Sequence, residues 1–359
     1  MAVHFTQEDW KRIRESHTAW WRGELKRPLV QCVVEGAYDA GRPQPAAPVL
    51  SQVNCNRLDI PAEDVIDALD WKLSRQEFLG DAYPRINFDS FGPGVTAAFC
   101  GAVLDNSAGG VWFFPEEKKP ISEISIRYNP ENKWVRRIKD IYRAGGERWQ
   151  GNVLMGMPDL GGFMDIAATF VGSEEMLIEL YDEPEEVRRL SKEAYQAFME
   201  AYRDLEKTLI ECGNPGYSDW SGLYSDVPSY IIQNDFSYMI GPDMFREFGL
   251  TELAQATEEL DNVIYHLDGA GQIPHLDYLL ALPKLKAIQW VPGDGQPHGA
   301  VWLDLYRRIS AAGRRIWFVG SDAQFEEVLR EVPDGMYYST GSRDREEAAR
   351  FLERIGVPV

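Results

Sequence analysis

The sequence predicts an α/β protein, a (β/α)8 TIM barrel with an N-terminal helical extension and long βα insertions. Eight short apolar runs, each ending in polar residues or glycine, are spaced along the chain, and amphipathic helical patterns separate most of them. Apolar strands that alternate with amphipathic helices are typical of a parallel sheet covered on both faces, and eight is the strand number of the barrel. The runs are Leu29–Glu35, Arg85–Asp89, Asn152–Met157, Tyr230–Asp235, Val263–Asp268, Ala287–Val291, Ile316–Asp322 and Met336–Thr340.

The alternative for such a pattern is an open, doubly wound sheet, which usually carries a glycine-rich phosphate-binding motif after its first strand. Here the first run leads into Glu35-Gly36-Ala37, and no G-x-G-x-x-G follows it. The barrel is therefore the prediction. No internal repeat, low-complexity tract or linker divides the sequence, so we expect residues 1–359 to form a single domain.

Helices are predicted where apolar residues recur every three or four positions. Residues 1–27 are the N-terminal helical extension, in which Thr6 is the expected N-cap. Asn129-Pro130, Pro184 and Gly241-Pro242 open three further helices.

Two connections are long, and long βα loops often shape the mouth of a barrel's active site. Residues 95–151 contain Trp112–Pro115 and Pro120–Ile126, which are typical of excursion strands or a lid. Residues 160–229 contain two helical patterns and then a polar, glycine-containing stretch at 213–222.

The charge and composition limit the class of protein. With 37 basic and 57 acidic residues the formal net charge is −20, which argues against nucleic acid or an anionic membrane as partner. No apolar run reaches the roughly 20 residues of a transmembrane helix. The four cysteines form no C-x-x-C motif and are expected to be free thiols, and the start of the chain does not resemble a secretion signal. We therefore expect a cytoplasmic enzyme.

Barrel enzymes carry their reactive side chains at the carboxyl ends of the strands. In this chain those ends form a ring of acids with one histidine among them. Some of the acids are expected to cap the helices that follow, and Asp322 is best explained in this way. The strand-end residues are Glu35, Asp89, Asp159, Asp235, His266, Asp268, Gln289, Trp290, Asp322, Ser339 and Thr340.

The end of the fifth run, Tyr265–Gly269, is the most informative. Residues two apart in a strand point the same way, so His266 and Asp268 share one face. Such a pair can bind a divalent metal with Asp235 or Asp322 as a third ligand. Without a metal, Asp235, His266 and Asp268 form an acid–base group. The alternative is a histidine that is buried and hydrogen-bonded as part of the structure.

Aromatic and amide side chains near the strand ends are the candidates for holding a substrate. Trp112, Trp220 and Trp290 are suited to flank a planar or sugar-like ligand, although a tryptophan belongs more often to the core. The predicted substrate-binding residues are Trp220, Tyr265, Gln289 and Trp290.

Four stretches resemble a known superfamily: Trp20–Pro28, Gly172–Glu186, Asn234–Phe248 and Tyr265–Gly269. In them the chain resembles the uroporphyrinogen decarboxylase superfamily, which includes zinc-dependent methyltransferases that carry methyl groups between corrinoid proteins and thiols. The resemblance implies a (β/α)8 barrel, in agreement with the strand count, and a monomer or homodimer. It also implies that Asp89 stands near the position of the decarboxylase's catalytic aspartate.

The chain differs from the superfamily at the residues that bind substrate and metal there. True uroporphyrinogen decarboxylases have an arginine-rich loop after the first strand, whereas residues 35–42 hold one arginine and two acids here, which disfavours a polyanionic tetrapyrrole. The methyltransferases have a cysteine two residues after the histidine and another near the last strand. This chain has Asp268 and Ser339-Thr340 at those places, and an oxygen ligand leaves zinc more Lewis-acidic than a thiolate does.

The leading hypothesis is a methyltransferase that moves a methyl group between a small substrate and a corrinoid protein or thiol, with His266 and Asp268 as ligands of a metal such as zinc. Its catalytic residues are predicted to be Asp89, Asp235 and His266. The alternative is a metal-free decarboxylase or lyase that acts on a small carboxylated substrate. A glycosidase with paired carboxylates and a non-catalytic binding protein are further alternatives.

Overall fold

All eight predicted strands are present in the computed structural model, which describes residues 3–359, although several of them differ in length from the prediction. Three further strands accompany them. The eleven strands of this described range are β1 (Leu29–Glu35), β2 (Gln76–Gly80), β3 (Arg85–Ile86), β4 (Val103–Asp105), β5 (Trp112–Phe114), β6 (Leu154–Met155), β7 (Ser229–Gln233), β8 (Asn262–Asp268), β9 (Leu285–Val291), β10 (Arg315–Trp317) and β11 (Met336–Ser342).

The helices begin where the local sequence satisfies their first backbone N–H groups. At the first helix, the Thr6 hydroxyl and the Asp9 carboxylate form the expected capping box. The longest helix begins at Pro184, whose missing N–H is unneeded in a first turn. The thirteen α-helices within residues 3–359 are α1 (Gln7–Arg22), α2 (Ala62–Leu73), α3 (Thr96–Phe99), α4 (Lys133–Trp149), α5 (Phe163–Val171), α6 (Ser173–Asp182), α7 (Pro184–Glu211), α8 (Pro242–Phe248), α9 (Leu250–Glu259), α10 (Leu276–Leu280), α11 (Leu303–Ala311), α12 (Asp322–Glu331) and α13 (Arg345–Arg354).

A mostly parallel seven-stranded sheet forms the centre of the fold. Its order is β2-β1-β11-β10-β9-β8-β7, in which β2 is antiparallel to β1 and every other pair is parallel. β3 and β6 form a second, parallel sheet, and β4 and β5 form an antiparallel hairpin. The protein is therefore an α/β protein, as predicted. Within the described chain the strand ladder does not run on from β7 through β6 and β3 to β1, so closure of the barrel stays a prediction.

Helix α1 covers the amino ends of the central strands. Its Trp20 and Trp21 pack into a buried apolar cluster with residues from the strands. The Trp20 indole donates to the Met336 carbonyl at 3.2 Å, and the Trp21 indole donates to the Tyr224 carbonyl at 2.8 Å. The N-terminal extension is thus fixed to the last strand of the sheet. The other buried members of the cluster are Leu29, Leu223, Ile231, Ile264, Ala287 and Tyr337.

Two local predictions need correction. Pro120–Ile126 is not a strand, because Ile121–Glu123 forms a 3-10 helix. Helix α4 begins after Asn132, whose side chain accepts a hydrogen bond from the Trp134 N–H, and not at Asn129-Pro130.

The hairpin of β4 and β5 confirms an excursion strand at Trp112–Phe114. The cysteines are free thiols, as expected. Among the helices of the described chain, none combines the length and the hydropathy needed to span a membrane.

Candidate active site at the carboxyl ends of β7, β8 and β9

Strands β7, β8 and β9 bring three polar side chains next to one another near their carboxyl ends. The register pairs Gln233 of β7 with His266 of β8, and His266 with Gln289 of β9. Asp268 follows two residues after His266 and points to the same face, because side chains alternate along a strand. The candidate site is built on this face of the sheet.

Asp235 joins this face because the chain turns sharply after β7. It begins the 3-10 helix Asp235–Met239. The Asp165 carboxylate on α5 accepts hydrogen bonds from the N–H groups of Asp235 and Phe236, at 2.9 and 2.6 Å. A side chain at Gly162 would collide with this carboxylate and with the end of β7, so only glycine lets α5 approach so closely. The turn is thereby held with Asp235 Oδ1 3.9 Å from His266 Nε2.

Asp235, His266 and Asp268 form what we call the Asp–His–Asp cluster. One ligand atom from each residue lies within 4.8 Å of the other two. Asp235 Oδ1 is buried and has no hydrogen-bond partner within residues 3–359, so it needs a proton or a cation. Metal–ligand bonds of about 2.1 Å span ligand atoms up to about 4.2 Å apart, so a small contraction lets the cluster hold an ion such as zinc. One nitrogen and two oxygens are a donor set that zinc and manganese accept.

Two neighbours fix the imidazole ring of His266. Its Nδ1 contacts Gln289 Oε1, so the ring proton is assigned to Nδ1, which donates, and Nε2 keeps its lone pair. The indole of Trp220 packs edge-on against the ring, with centroids 5.2 Å apart. Burial lowers the pKa of His266, which keeps the ring neutral at pH 7. A neutral ring with a free Nε2 can serve as a metal ligand or as a base.

Three carboxyl groups near the site have raised pKa values. Burial and then the charge of Asp268 raise the pKa of Asp235 to about 7. Burial and then the charge of Asp235 raise the pKa of Asp165 to about 7. Burial raises the pKa of Asp159 to about 8. The Asp235 side chain is 40% exposed toward an open cavity, so solvent reduces the effect of burial on its pKa, whereas Asp159 is only 8% exposed.

A cavity of about 580 Å³ opens beside Asp235. Its wall is mostly apolar and comes from α5, the β4–β5 hairpin and the 3-10 helix after β7. Trp112 and Phe114 of the hairpin line it and are 65% and 50% exposed. The volume is in the range of small-molecule sites. Its other apolar lining residues include Phe113, Ile166, Val171, Phe236 and Met239.

Two predicted substrate-binding residues lie on the opposite face of their strands, and that prediction needs correction. Trp290 is fully buried and packs against Trp302, with centroids 4.9 Å apart. Tyr265 is fully buried as well. Neighbouring residues of a strand point to opposite faces, so the placement of His266 and Gln289 in the site turns Tyr265 and Trp290 away from it.

Asp89 and Asp322 are not brought to the cluster. Asp89 lines a second cavity, of about 320 Å³, between β1, β3 and α2. Asp89 and Asp235 therefore line different cavities. Asp322 accepts hydrogen bonds from two hydroxyl groups of β11, and Ser321, not Asp322, caps α12.

Three residues near these cavities were not predicted from the sequence. Asp165 holds the turn that carries Asp235, and Gln233 Nε2 donates to Asp235 Oδ2 at 3.5 Å. Arg85 lines the second cavity. A sequence signal existed for Arg85 alone, since a charged residue opens a strand that is otherwise buried.

No protein-family model matches the chain, and no curated protein matches it. Among solved structures, the chain is similar to a methyltransferase from Methanosarcina mazei, with a TM-score of 0.57 and 13% sequence identity. The match covers 88% of this chain and 95% of that chain. At this identity the similarity concerns the fold. Fold and site together define an α/β protein with an Asp–His–Asp cluster at the carboxyl ends of its central strands.

Proposed function

We propose that the protein is a methyltransferase that moves a methyl group between a small substrate and a corrinoid protein or a thiol, with a divalent metal held by the Asp–His–Asp cluster. The geometry of this cluster carries the proposal. The sequence resemblance to the superfamily with zinc-dependent methyltransferases supports it. The similar fold of a protein that is named a methyltransferase supports it as well, although a fold by itself does not fix a function.

The residues of the cluster fit a divalent cation such as zinc. Asp235 Oδ1 is a buried oxygen without a partner in the described chain, and His266 presents a neutral Nε2 toward it. Asp268 supplies the third donor atom. The hydrogen bond from His266 to Gln289 is the outer contact that metal-binding histidines usually make through their second nitrogen.

A cation in the cluster would lower the pKa of a thiol that binds beside it, so that a thiolate forms near neutral pH. The residues of the protein position the groups of the cluster and exclude water from the reacting atoms. Gln289 and Trp220 orient the imidazole ring, and Asp165 holds the turn of Asp235. The apolar cavity beside Asp235 takes the methyl-bearing substrate. The lone pair of the acceptor attacks the methyl carbon, and the bond to the donor breaks with its electron pair leaving on the donor.

Metal analysis of the purified protein tests the metal. We expect close to one zinc per chain, lost in His266→Ala and Asp268→Ala. Asp294→Ala is the matched control, because Asp294 is an exposed acid in the loop after β9 and lies outside the cluster. A metal-free wild type that is still active would refute the metal site.

Methyl transfer is tested with methylcobalamin as donor and 2-mercaptoethanol as acceptor, followed by the absorbance of the cobalt–carbon bond. We expect turnover by the wild type and by Asp294→Ala, and loss of turnover in the two cluster variants. Removal of the metal with a chelator is expected to stop the reaction, and added zinc is expected to restore it. A zinc-loaded wild type without turnover would count against methyl transfer.

A metal-free decarboxylase that acts on a small carboxylated substrate is the second candidate, because the raised pKa values of Asp159, Asp165 and Asp235 favour it. The bond to the substrate carboxylate would break, carbon dioxide would leave, and the electron pair left on carbon would take the proton of Asp235. Release of carbon dioxide from a panel of small carboxylic acids, by protein treated with a chelator, tests this candidate. Asp235→Asn is expected to abolish the release.

We also propose that the two parallel sheets belong to one (β/α)8 barrel in a single domain. One hydrogen bond supports the junction of β6 and β7. Five residues after β6, the Leu160 N–H donates to the Tyr230 hydroxyl of β7 at 2.7 Å. At the other junction, the segment between β2 and β3 is held to β1 by the Asp81 N–H, which donates to the Val30 carbonyl at 2.7 Å and extends the β1–β2 ladder. A crystal structure in which β6 and β7 stand apart, with solvent between them, would contradict closure.

A further inference from the structure

Arg85 is a half-buried arginine whose guanidinium has no close partner in the described chain. It opens β3, and its side chain lines the 320 Å³ cavity between β1, β3 and α2. Its charge opposes the rise in pKa of the Asp89 and Asp219 carboxyl groups, so both acids lie near enough to act on it. Within residues 3–359, however, neither acid forms an ion pair or a hydrogen bond with the guanidinium, and N–H donors held inside a protein without an acceptor are costly. The guanidinium is therefore expected to find its acceptor on a molecule from outside the chain.

The guanidinium of Arg85 packs against a glycine whose backbone is held in place. It lies against Gly222, where any side chain would collide with it and where the backbone has φ +73°, a conformation that favours glycine. The Gly222 carbonyl accepts hydrogen bonds from Gln31 Nε2 at 2.7 Å and from the Tyr83 hydroxyl at 3.0 Å. The backbone behind the guanidinium is therefore fixed.

The other charges of the cavity limit what can bind. Lys72 is a second cation in its wall, while Glu35 and Asp89 are acids there. The Glu35 carboxylate accepts a hydrogen bond from Gln76 Nε2 at 2.8 Å. Two cations and two acids leave no excess of positive charge for a polyanion. One anionic group beside the guanidinium, on a molecule that is otherwise neutral or cationic, matches this arrangement.

We propose that Arg85 binds the terminal oxyanion of a small organic molecule, a carboxylate, sulfonate or phosphate, in the cavity between β1, β3 and α2. The planar guanidinium offers two parallel N–H donors, which match two oxygens of such a group. The proposal concerns binding alone, so it holds whether the protein transfers methyl groups or decarboxylates, and whether or not the Asp–His–Asp cluster holds a metal.

Calorimetric titration of the chelator-treated protein tests the site, with propionate, ethanesulfonate and inorganic phosphate as separate probes at one ionic strength. We expect at least one probe to bind with a millimolar or lower Kd, and the strongest probe identifies the oxyanion. Arg85→Gln is expected to weaken this binding at least 10-fold. Arg330→Gln, at an arginine of α12 that is 72% exposed, is the matched control and is expected to bind like the wild type. Absence of binding by all three probes, or equal binding by Arg85→Gln, would overturn the proposal.

A second measurement uses the wild type only and covers the case in which Arg85→Gln does not fold. Phenylglyoxal modifies accessible arginines, and peptide mapping gives the rate at Arg85. We expect the binding probe to slow the reaction at Arg85 and to leave the rate at Arg330 unchanged. An unchanged rate at Arg85 in the presence of saturating probe would overturn the proposal.

Discussion

Replacement of Gln289 by leucine tests how the outer contact of His266 controls the proposed metal site. Gln289 is only 4% exposed, and its Oε1 accepts the Nδ1–H of His266. Leucine has a similar size but no acceptor, so the ring loses the contact that fixes its tautomer. Loss of such an outer partner typically costs 10- to 100-fold in metal affinity, which is about 1.4–2.7 kcal/mol. The unpaired N–H is expected to lower the free energy of unfolding by a further 1–3 kcal/mol or so.

Competition against a chromophoric zinc chelator measures the affinity, and urea unfolding of the metal-free protein measures stability. Gln31→Leu is the matched control, because Gln31 is 2% exposed on β1 and its Nε2 donates to the Gly222 carbonyl, away from the cluster. We expect Gln31→Leu to lose stability and to keep its zinc affinity. A folded Gln289→Leu with wild-type zinc affinity would refute the argument that His266 binds metal through Nε2.

Three predictions concern stability. The pKa of Asp159 is raised by burial to about 8 from about 3.9 in the unfolded chain, so its contribution to stability is full below pH 4 and is lost as the pH rises through 8. Asp159→Asn keeps the acceptor for the Gly161 N–H and is expected to have a higher Tm than the wild type at pH 8.5 and the same Tm near pH 4; a pH-independent difference would contradict this. Asp81→Asn removes the negative charge and one of the two oxygens that accept hydrogen bonds from Arg27, at 2.6 and 2.8 Å. It is expected to cost about 2–3 kcal/mol in urea unfolding, less than a fully buried pair because Arg27 is 22% exposed; a loss below about 1 kcal/mol would contradict it. Trp20→Ala is expected to cost about 3–5 kcal/mol by the same measurement because Trp20 is 1% exposed, whereas Trp112→Ala, the exposed control, is expected to stay within about 0.5 kcal/mol.

The positions of eight strands along the chain could be predicted from the sequence, because strands buried on both faces must be apolar along their length. The number of residues that each strand contributes to a hydrogen-bonded ladder could not be predicted. Arg85–Asp89 and Asn152–Met157 look like full strands, yet only two residues of each enter a ladder, since pairing depends on where neighbouring strands lie. Strand β2 contains no apolar run from which it could have been predicted. It forms because the backbone groups at the edge of β1 would otherwise be unpaired.

The candidate site was predictable where it depends on the period of a strand. That period placed His266 and Asp268 on one face of β8. The same alternation turns their strand neighbours away from the site: Tyr265, which precedes His266, and Trp290, which follows Gln289. Contacts between distant segments leave no periodic signal. The Asp165 carboxylate reaches the Asp235 N–H across 70 positions of sequence, and this requires the packing of α5 against the turn after β7.

The attachment of α1 to the last strand has a consequence for synthesis of the chain. The hydrogen bond from Trp20 to Met336 joins residues 316 positions apart. At about 5–20 residues per second, a ribosome needs about 15–60 s to make the chain between them. During that time Trp20 and Trp21 lack the strand that completes their cluster, and their indole rings are open to binding by a chaperone. A nascent chain that stops before β11 lacks the Met336 acceptor and the Tyr337 contact of its first helix, so the packing of Trp20 is expected to be completed only when the last strand has been made.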